Sequence, residues 1–257
     1  LYGAGQFNGT SGYEEAAAQG LIAGLNASLA LRGMEPLILS RSESYIGTLI
    51  DDLVTKGTNE PYRMMTSRSE YRLLLRQDNA DARLTPKGHA AGLISDERFH
   101  AFEAKQDAIQ KETARLEQTH LSPALLNPFL EQAGLPPVGT GFSLAELLKR
   151  PQITYESLAV LDADRPKLPL RVIQTVEINI KYEGYIKRQI AEVARHKKLE
   201  AKTIPADLDY RQIIGLRIEA RQKLESVRPL TIGQASRISG VNPADISVLL
   251  IYLGIRA

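Results

Sequence analysis

The chain reads as mainly α-helical. Three observations carry that expectation. Ser11/Glu14, Ser67/Glu70 and Ser143/Glu146 each show the S-x-x-E spacing of a helix capping box. Residues 170–199 run without Pro or a turn pair, too long for a strand. Elsewhere Gly and Pro punctuate short segments whose apolar residues recur at helical spacing.

Composition sets the bounds. At 257 residues the chain can bury a sizeable core in one large or two smaller domains. A hydrophobic content of 43% and a net charge of +2 belong to a soluble globular protein. A nucleic-acid surface would therefore be a local patch. The chain has no cysteine, which excludes a disulfide scaffold, a Cys-based zinc site and a thiol nucleophile within it. No run of about 18 apolar residues suggests a membrane span, and no signal peptide is visible. The first residue is Leu1, and the opening reads as the strand end of a strand–loop–helix unit. A strand needs sheet partners, so a C-terminal portion of a longer chain is expected.

Gly3 to Gly12 is glycine-rich, and the Ser11/Glu14 pair starts a helix at Gly12 that closes at Gly33. A capped helix start carries free N–H groups and the positive end of the macrodipole, which suits a phosphate. A plain tight turn satisfies the same residues. Ala17, Leu21, Leu25 and Leu29 supply the apolar face, and Gly20 and Gly24 permit close packing. Pro36–Leu39 is an extended connection. Ser42 caps a helix running to about Lys56, stopped by Gly57. Asp51 and Asp52 read as a solvated helix face.

From Pro61 to Gly88 the net charge is +3. With Ser67/Glu70 as a cap, Arg68, Arg72 and Arg76 form a helical stripe about 12 Å long, and Arg63 extends it. Tyr71, Leu74 and Leu75 take the opposite face. Evenly spaced guanidinium groups suit phosphates; surface pairing with Glu70, Asp78 and Asp81 is the other reading. Thr85 and Pro86 open a short helix. Ser95 caps a longer one from Asp96 to about Thr119, with a thin stripe of Phe99, Phe102, Ile109 and Leu116. Ser122-Pro123 starts the next helix and Gly134 ends it. Ser143/Glu146 precedes Leu147-Leu148. His89, His100, His120 and His196 are scattered, so no metal site is expected.

Within 170–199, Val172, Val176 and Ile180 fit a helix. Lys181, Tyr182, Tyr185, Lys187 and Arg188 interleave aromatics with basic charge, as single-stranded RNA binding requires. Packed tyrosines with wet hydroxyls explain the pattern equally. Toward the C-terminus, Thr231 caps one helix, Gly240 turns and Asn242-Pro243 starts another. The second helix offers Ala244, Asp245 and Ser247, then Val248, Leu249, Leu250 and Ile251. That face suits burial or a protein partner, not base edges, so DNA reading is not expected.

Four strings resemble one family in the expected order. Gly5-Gln6-Phe7-Asn8-Gly9-Thr10-Ser11-Gly12-Tyr13-Glu14-Glu15-Ala16-Ala17-Ala18-Gln19-Gly20 is similar to the signature that closes the FAD-binding domain of the MnmG (GidA) family, with Phe7 a mild departure. Pro61 to Arg76, with Asp78 to Thr85, resembles a second hallmark. Lys181 to Gln189 and Pro229 to Val241 resemble two more. The resemblance implies the C-terminal part of a larger FAD-binding α/β protein. On it, 1–35 is a remnant of the FAD-binding domain, 36–170 a helical tRNA-facing region and 171–257 a helical domain for partner and tRNA docking.

It further implies a cytoplasmic FAD enzyme, usually a homodimer, that works with the GTPase MnmE. The implied reaction adds a (carboxymethyl)aminomethyl group at C5 of wobble uridine 34, using NADH and methylene-tetrahydrofolate. Gly5, Gln6, Asn8, Gly9, Thr10, Ser11, Gly12 and Glu14 then face FAD. Arg63, Arg68, Arg72, Arg76, Lys181, Tyr185, Lys187 and Arg188 face tRNA. No catalytic residue is assigned, and this portion alone is expected to be inactive. A non-catalytic RNA-binding or protein-interaction module is the alternative.

Overall fold

A computed structural model describes residues 1–57 and 60–254. Ten α-helices and a two-stranded ribbon make up its regular structure among the described residues. Contacts group the chain into two compact units. One is formed by residues 1–75 and 189–257, the other by Arg76–Arg188.

In the first unit, α1 (Tyr13–Leu31) has Gly12, not Ser11, at its N-cap. The expected capping box does not form, because Ser11 Oγ donates to the Tyr62 carbonyl instead (3.2 Å). The buried side of α1 carries Glu15, Gln19, Leu25 and Leu29, while Ala17 and Leu21 are exposed. Among the described residues no atom beyond the helix's own neighbouring backbone lies within 4 Å of a β-carbon placed on Gly20 or Gly24, so neither serves close packing there. Residues 1–4 form no strand.

Helix α2 (Tyr45–Thr55) is capped by Ser44, whose Oγ accepts from Gly47 N (2.8 Å). The expected cap, Ser42, instead shares a hydrogen bond with the Ser40 hydroxyl. Gly57 closes the helix with φ 69°. The chain before α2 folds back over its first turn. A β-carbon on Gly47 would stand 2.3 Å from the Ser40 carbonyl and 2.5 Å from that of Leu39. Backbone atoms cannot rotate away, so Gly47→Ala is expected to cost about 1–3 kcal/mol, read from thermal denaturation.

The C-terminal bundle of the same unit comprises α8 (Ile218–Val227), α9 (Ile232–Arg237) and α10 (Pro243–Tyr252). Tyr210, Ile213, Leu224, Ile232, Ala235 and Leu249 form its centre. Thr231 caps α9 through Gln234 N, and Asn242 with Asp245 forms a full capping box on α10. Ile246, Leu249 and Leu250 of α10 are buried, while Ile251 and Tyr252 face solvent. The apolar run of that helix thus divides, Leu249 and Leu250 serving burial and Ile251 not.

The second unit contains α3 (Ala80–Ala90), α4 (Asp96–Gln118), α5 (Pro123–Gln132), α6 (Leu144–Leu148) and the first part of α7 (Leu170–Glu200). Helix α3 starts five residues before the expected Thr85, with Pro86 inside it. Asp81 in its first turn complements the helix dipole, and Asn79 accepts from Arg83 Nε (3.0 Å). Ser95 caps α4, and Ser143/Glu146 forms the expected capping box on α6. Strands β1 (His120–Leu121) and β2 (Phe142–Ser143) pair antiparallel.

Ile109 and Leu116 of α4 pack with Leu126, Leu144, Leu147, Tyr155 and Val176. Glu112 shares their face. It is satisfied by Arg115 and by the Tyr155 hydroxyl (2.7 Å), and burial with that carboxylate pushes the phenol up to about 12. Along α7, Val172, Val176 and Ile180 are buried and Tyr182 is exposed. The helical period, not the local alternation, decides that segment.

Candidate functional site

The glycine-rich segment makes a 3-10 turn over Gly5–Asn8, with Gly5 and Gly9 both at φ 80°. Gln19 Oε1 on α1 accepts from Gly5 N (3.0 Å) and Asn8 Nδ2 (2.9 Å). Asn8 Nδ2 also reaches the Gly3 carbonyl. Thr10 and Tyr62 form an isolated parallel bridge. In it Tyr62 N donates to Gly9 O (2.7 Å) and Ser11 N to Tyr62 O (3.0 Å). Gln6 and Glu14 are exposed. Thus a segment 50 residues downstream is fastened to the turn.

Glu15 completes the fastening. Its Oε1 accepts from Met64 N (2.7 Å), and that backbone bond, with Arg63 nearby, holds the carboxyl below the usual range. Three buried polar atoms here have no hydrogen-bond partner among the described residues: Thr10 Oγ1, Glu15 Oε2 and Gln19 Nε2. Buried polar groups are nearly always paired, so three orphans around one turn point to a polar ligand. A β-carbon on Gly12 would stand 1.8 Å from Glu15 Oε2. Any larger residue there would displace the carboxylate.

The expected arginine helix is not formed. Thr66–Arg68 is a single 3-10 turn, followed by turns rather than an α-helix. Ser69 Oγ accepts from Tyr71 N, a local bond that competes with helix. Glu70, the expected capping partner of Ser67, is drawn away. Its two oxygens accept from Arg41 Nε (2.9 Å) and Nη2 (2.8 Å).

The arginines therefore have separate surroundings. Arg63 is 58% exposed, with Nε 3.8 Å from Glu15 Oε1. Arg68 lies 4.5 Å over the Tyr62 ring and donates to the Arg63 carbonyl (2.8 Å). Arg72 is exposed and makes no side-chain pair among the described residues. Arg76, in the second unit, is held by Asp78 (3.0 Å) and Asn179 (3.3 Å).

Asp51 and Asp52 are not a solvated face. Asp52 is 1% exposed and accepts from Arg41 (2.6 Å), Lys56 (2.8 Å) and the Tyr62 hydroxyl (2.8 Å). Burial alone would raise its carboxyl; the Lys56 and Arg41 bonds outweigh it and hold it low. Asp51 is shared between Arg41 (3.0 Å) and Arg237 (2.9 Å), and Arg237 also pairs with Glu200. This network braces Tyr62 and Glu70, the two ends of the arginine-bearing segment.

On α7, Lys181 pairs with Glu177 (2.9 Å) and Lys187 with Glu183. Lys149 also reaches Glu183, and the two ammonium groups lower that carboxyl to about 2. Tyr182 and Tyr185 are exposed, with ring centroids 6.3 Å apart, and Arg188 lies 5.2 Å over Tyr185. The two lysines are locally neutralised; the tyrosines and Arg188 present the open stacking surface.

Cavities adjoin these residues in both units. In the first unit, about 380 Å³ is lined by Glu14, Glu15, Tyr45, Ile46, Arg63 and Met64, among others. In the second, a cleft of about 1130 Å³ includes Asp78, Asp81, Lys105, Glu177, Lys181 and Tyr182. Its carboxylates are mostly paired, Asp81 with Lys105 at 2.7 Å. Among the described residues no three His, Asp, Glu or Cys could hold a metal ion. No described helix is long and apolar enough to cross a membrane.

Residues 1–35, the turn and α1, match the family described as glucose inhibited division protein A. Residues 96–190 match the tRNA modifying enzyme MnmG/GidA C-terminal helical domain, and residues 192–257 its C-terminal helical bundle. The chain belongs to the MnmG/GidA family. Relatives named tRNA uridine 5-carboxymethylaminomethyl modification enzyme MnmG from Alkaliphilus oremlandii and Caldicellulosiruptor saccharolyticus are each 61% identical over 98% of the chain. The crystal structure of Aquifex aeolicus GidA (form II) superposes with TM-score 0.80 at 45% identity, over 98% of the chain and 39% of its own. The chain spans about 40% of the length of these MnmG relatives.

Glu15, Arg41, Asp52, Tyr62 and Met64 organise the site but were not among the expected site residues. For Glu15 a signal exists: with Gln19 it sits in helical register with Leu25 and Leu29, where apolar residues belong.

Proposed function

We propose that this MnmG/GidA chain supplies the tRNA-binding and partner-binding part of a flavin-dependent enzyme that modifies C5 of wobble uridine 34. The observation that carries the reading is the pairing of two features in one place. A glycine-rich turn with orphaned polar atoms is fastened directly to the segment bearing Arg63, Arg68 and Arg72.

The turn residues suit the flavin dinucleotide. Gly5, Gln6, Asn8, Gly9, Thr10, Ser11, Gly12 and Glu14 would hold it. Thr10 Oγ1 and Gln19 Nε2 are available for its polar edge, and the N-terminus of α1 is available for its phosphates. Bound FAD supplies two-electron redox chemistry, with NADH and methylene-tetrahydrofolate as co-substrates. Arg63, Arg68 and Arg72 contact tRNA phosphates, and Tyr182, Tyr185 and Arg188 stack on bases. The 171–257 helical domain docks the GTPase MnmE and tRNA, and the setting is cytoplasmic, in a homodimer.

The test is binding of bulk bacterial tRNA, with duplex DNA as control, at two salt concentrations. Arg68→Ala/Arg72→Ala removes two phosphate contacts. The slope of log K against log salt should fall by about 1.4–1.8, which at 0.1 M salt corresponds to roughly 25- to 60-fold weaker binding. An unchanged slope would mean that the arginines do not touch RNA.

A further inference from the structure

Near the end of α7 the usual placement of side chains is inverted. Gln189 is 9% exposed, while its neighbour Ile190 is 53% exposed. A buried amide needs partners, and Gln189 finds two on one stretch of the arginine-bearing segment. Its Oε1 accepts from Leu74 N (3.1 Å), and its Nε2 donates to the Glu70 carbonyl (3.0 Å). About two helical turns further on, His196 shares a hydrogen bond with the hydroxyl of Tyr71, a residue 5% exposed. One side of α7 therefore grips residues 70, 71 and 74.

Arg72 lies between these anchors. It is exposed, while Tyr71 and Leu75 beside it are buried. Residues 70–74 are turns rather than helix, so no regular ladder of bonds fixes the backbone that carries Arg72. Leu74 N divides its proton between Tyr71 O (2.8 Å), inside the turn, and Gln189. The bond that closes the turn is thus tied to α7. A side-chain amide suits both tasks, since it accepts at one atom and donates at the other. An ionised glutamate at 189 would lack the donor, and an apolar side chain would lack both.

We propose that Gln189 is a positioning residue for RNA binding, fixing the Glu70–Leu74 turn so that Arg72 meets a phosphate already ordered. The inference rests on the tRNA reading above and adds to it an uncharged residue that acts through Arg72.

The experiment is a double-mutant cycle on binding of bulk bacterial tRNA at about 0.1 M salt, with wild type, Gln189→Met, Arg72→Ala and the double variant. Methionine is unbranched like glutamine and removes both hydrogen bonds. Arg72→Ala deletes one phosphate contact and should cost about 5- to 8-fold. Ordering a loosened arginine on binding costs about 2- to 13-fold, and the loss cannot exceed that of deleting the arginine. Gln189→Met should therefore weaken binding about 3- to 8-fold beside intact Arg72, and less than about 2-fold beside Arg72→Ala. A variant that merely damaged the fold would lose affinity equally in both backgrounds and would show a lowered melting temperature. Equal losses in the two backgrounds, or no loss beside intact Arg72, would overturn the proposal and leave the tRNA reading standing. No loss from Arg72→Ala itself would remove that arginine's RNA contact, and this inference with it.

Discussion

Asp52→Ala should destabilise the unit containing α2 by about 3 kcal/mol, measured by urea denaturation. Removing one partner of a buried ion pair usually costs about 3–5 kcal/mol, because the other charge stays desolvated. Arg41 retains Asp51 and Glu70, which places the loss at the lower end. The Tyr62 hydroxyl loses its carboxylate acceptor and keeps only the Met64 sulfur. The same network sets an acid limit. Burial raises the carboxyls of Asp52 and Glu70, but bonds from Lys56 and Arg41 to the former and from Arg41 to the latter hold both below their ordinary values in the fold. Depressed carboxyls contribute stability that is present above about pH 4 and lost as pH falls through the folded values. The wild-type chain should therefore lose stability steeply below pH 4, and Asp52→Ala should lose less over the same interval.

Leu116→Ala should cost about 2–5 kcal/mol, and the loss should appear in the second unit. Leu116 is fully buried between α4 and the Leu126, Leu144 and Leu148 cluster, and truncation leaves a cavity there. A chain with two cores has no single well-defined midpoint, so amide hydrogen exchange is the appropriate measurement. Amides of α4 and α6 should exchange faster while those of α9 and α10 do not. Equal acceleration in the C-terminal bundle would contradict a separate core.

The helices were legible where local signals agree with tertiary packing. Ser95, Ser143, Thr231 and Asn242 cap as their sequences imply, and α7 follows its three buried apolar positions. Local signals misled where a distant residue competed. Ser11 looks like a cap but bonds to Tyr62, and Glu70 looks like a capping partner but belongs to Arg41. Both partners lie far along the chain, beyond any window of helical spacing. The arginines' spacing implied a helix that Ser69 and Glu70 prevent. Asp52 shows the same limit. An acidic doublet on a helix looks exposed until Arg41 is brought over it.

The second unit is an insertion, since the first is built from residues on both sides of it. The Asp51–Arg237 pair joins positions 186 residues apart. During synthesis, residues 1–75 must wait for residue 189 onward to emerge. At about 5–20 residues per second, that delay is roughly 6–23 s. Through it Asp51 lacks Arg237 and the side of α2 that meets α9 stays uncovered, while residues 76–188 can already close their own core. The second unit can thus be complete before the first, although the first unit's residues begin to emerge earlier.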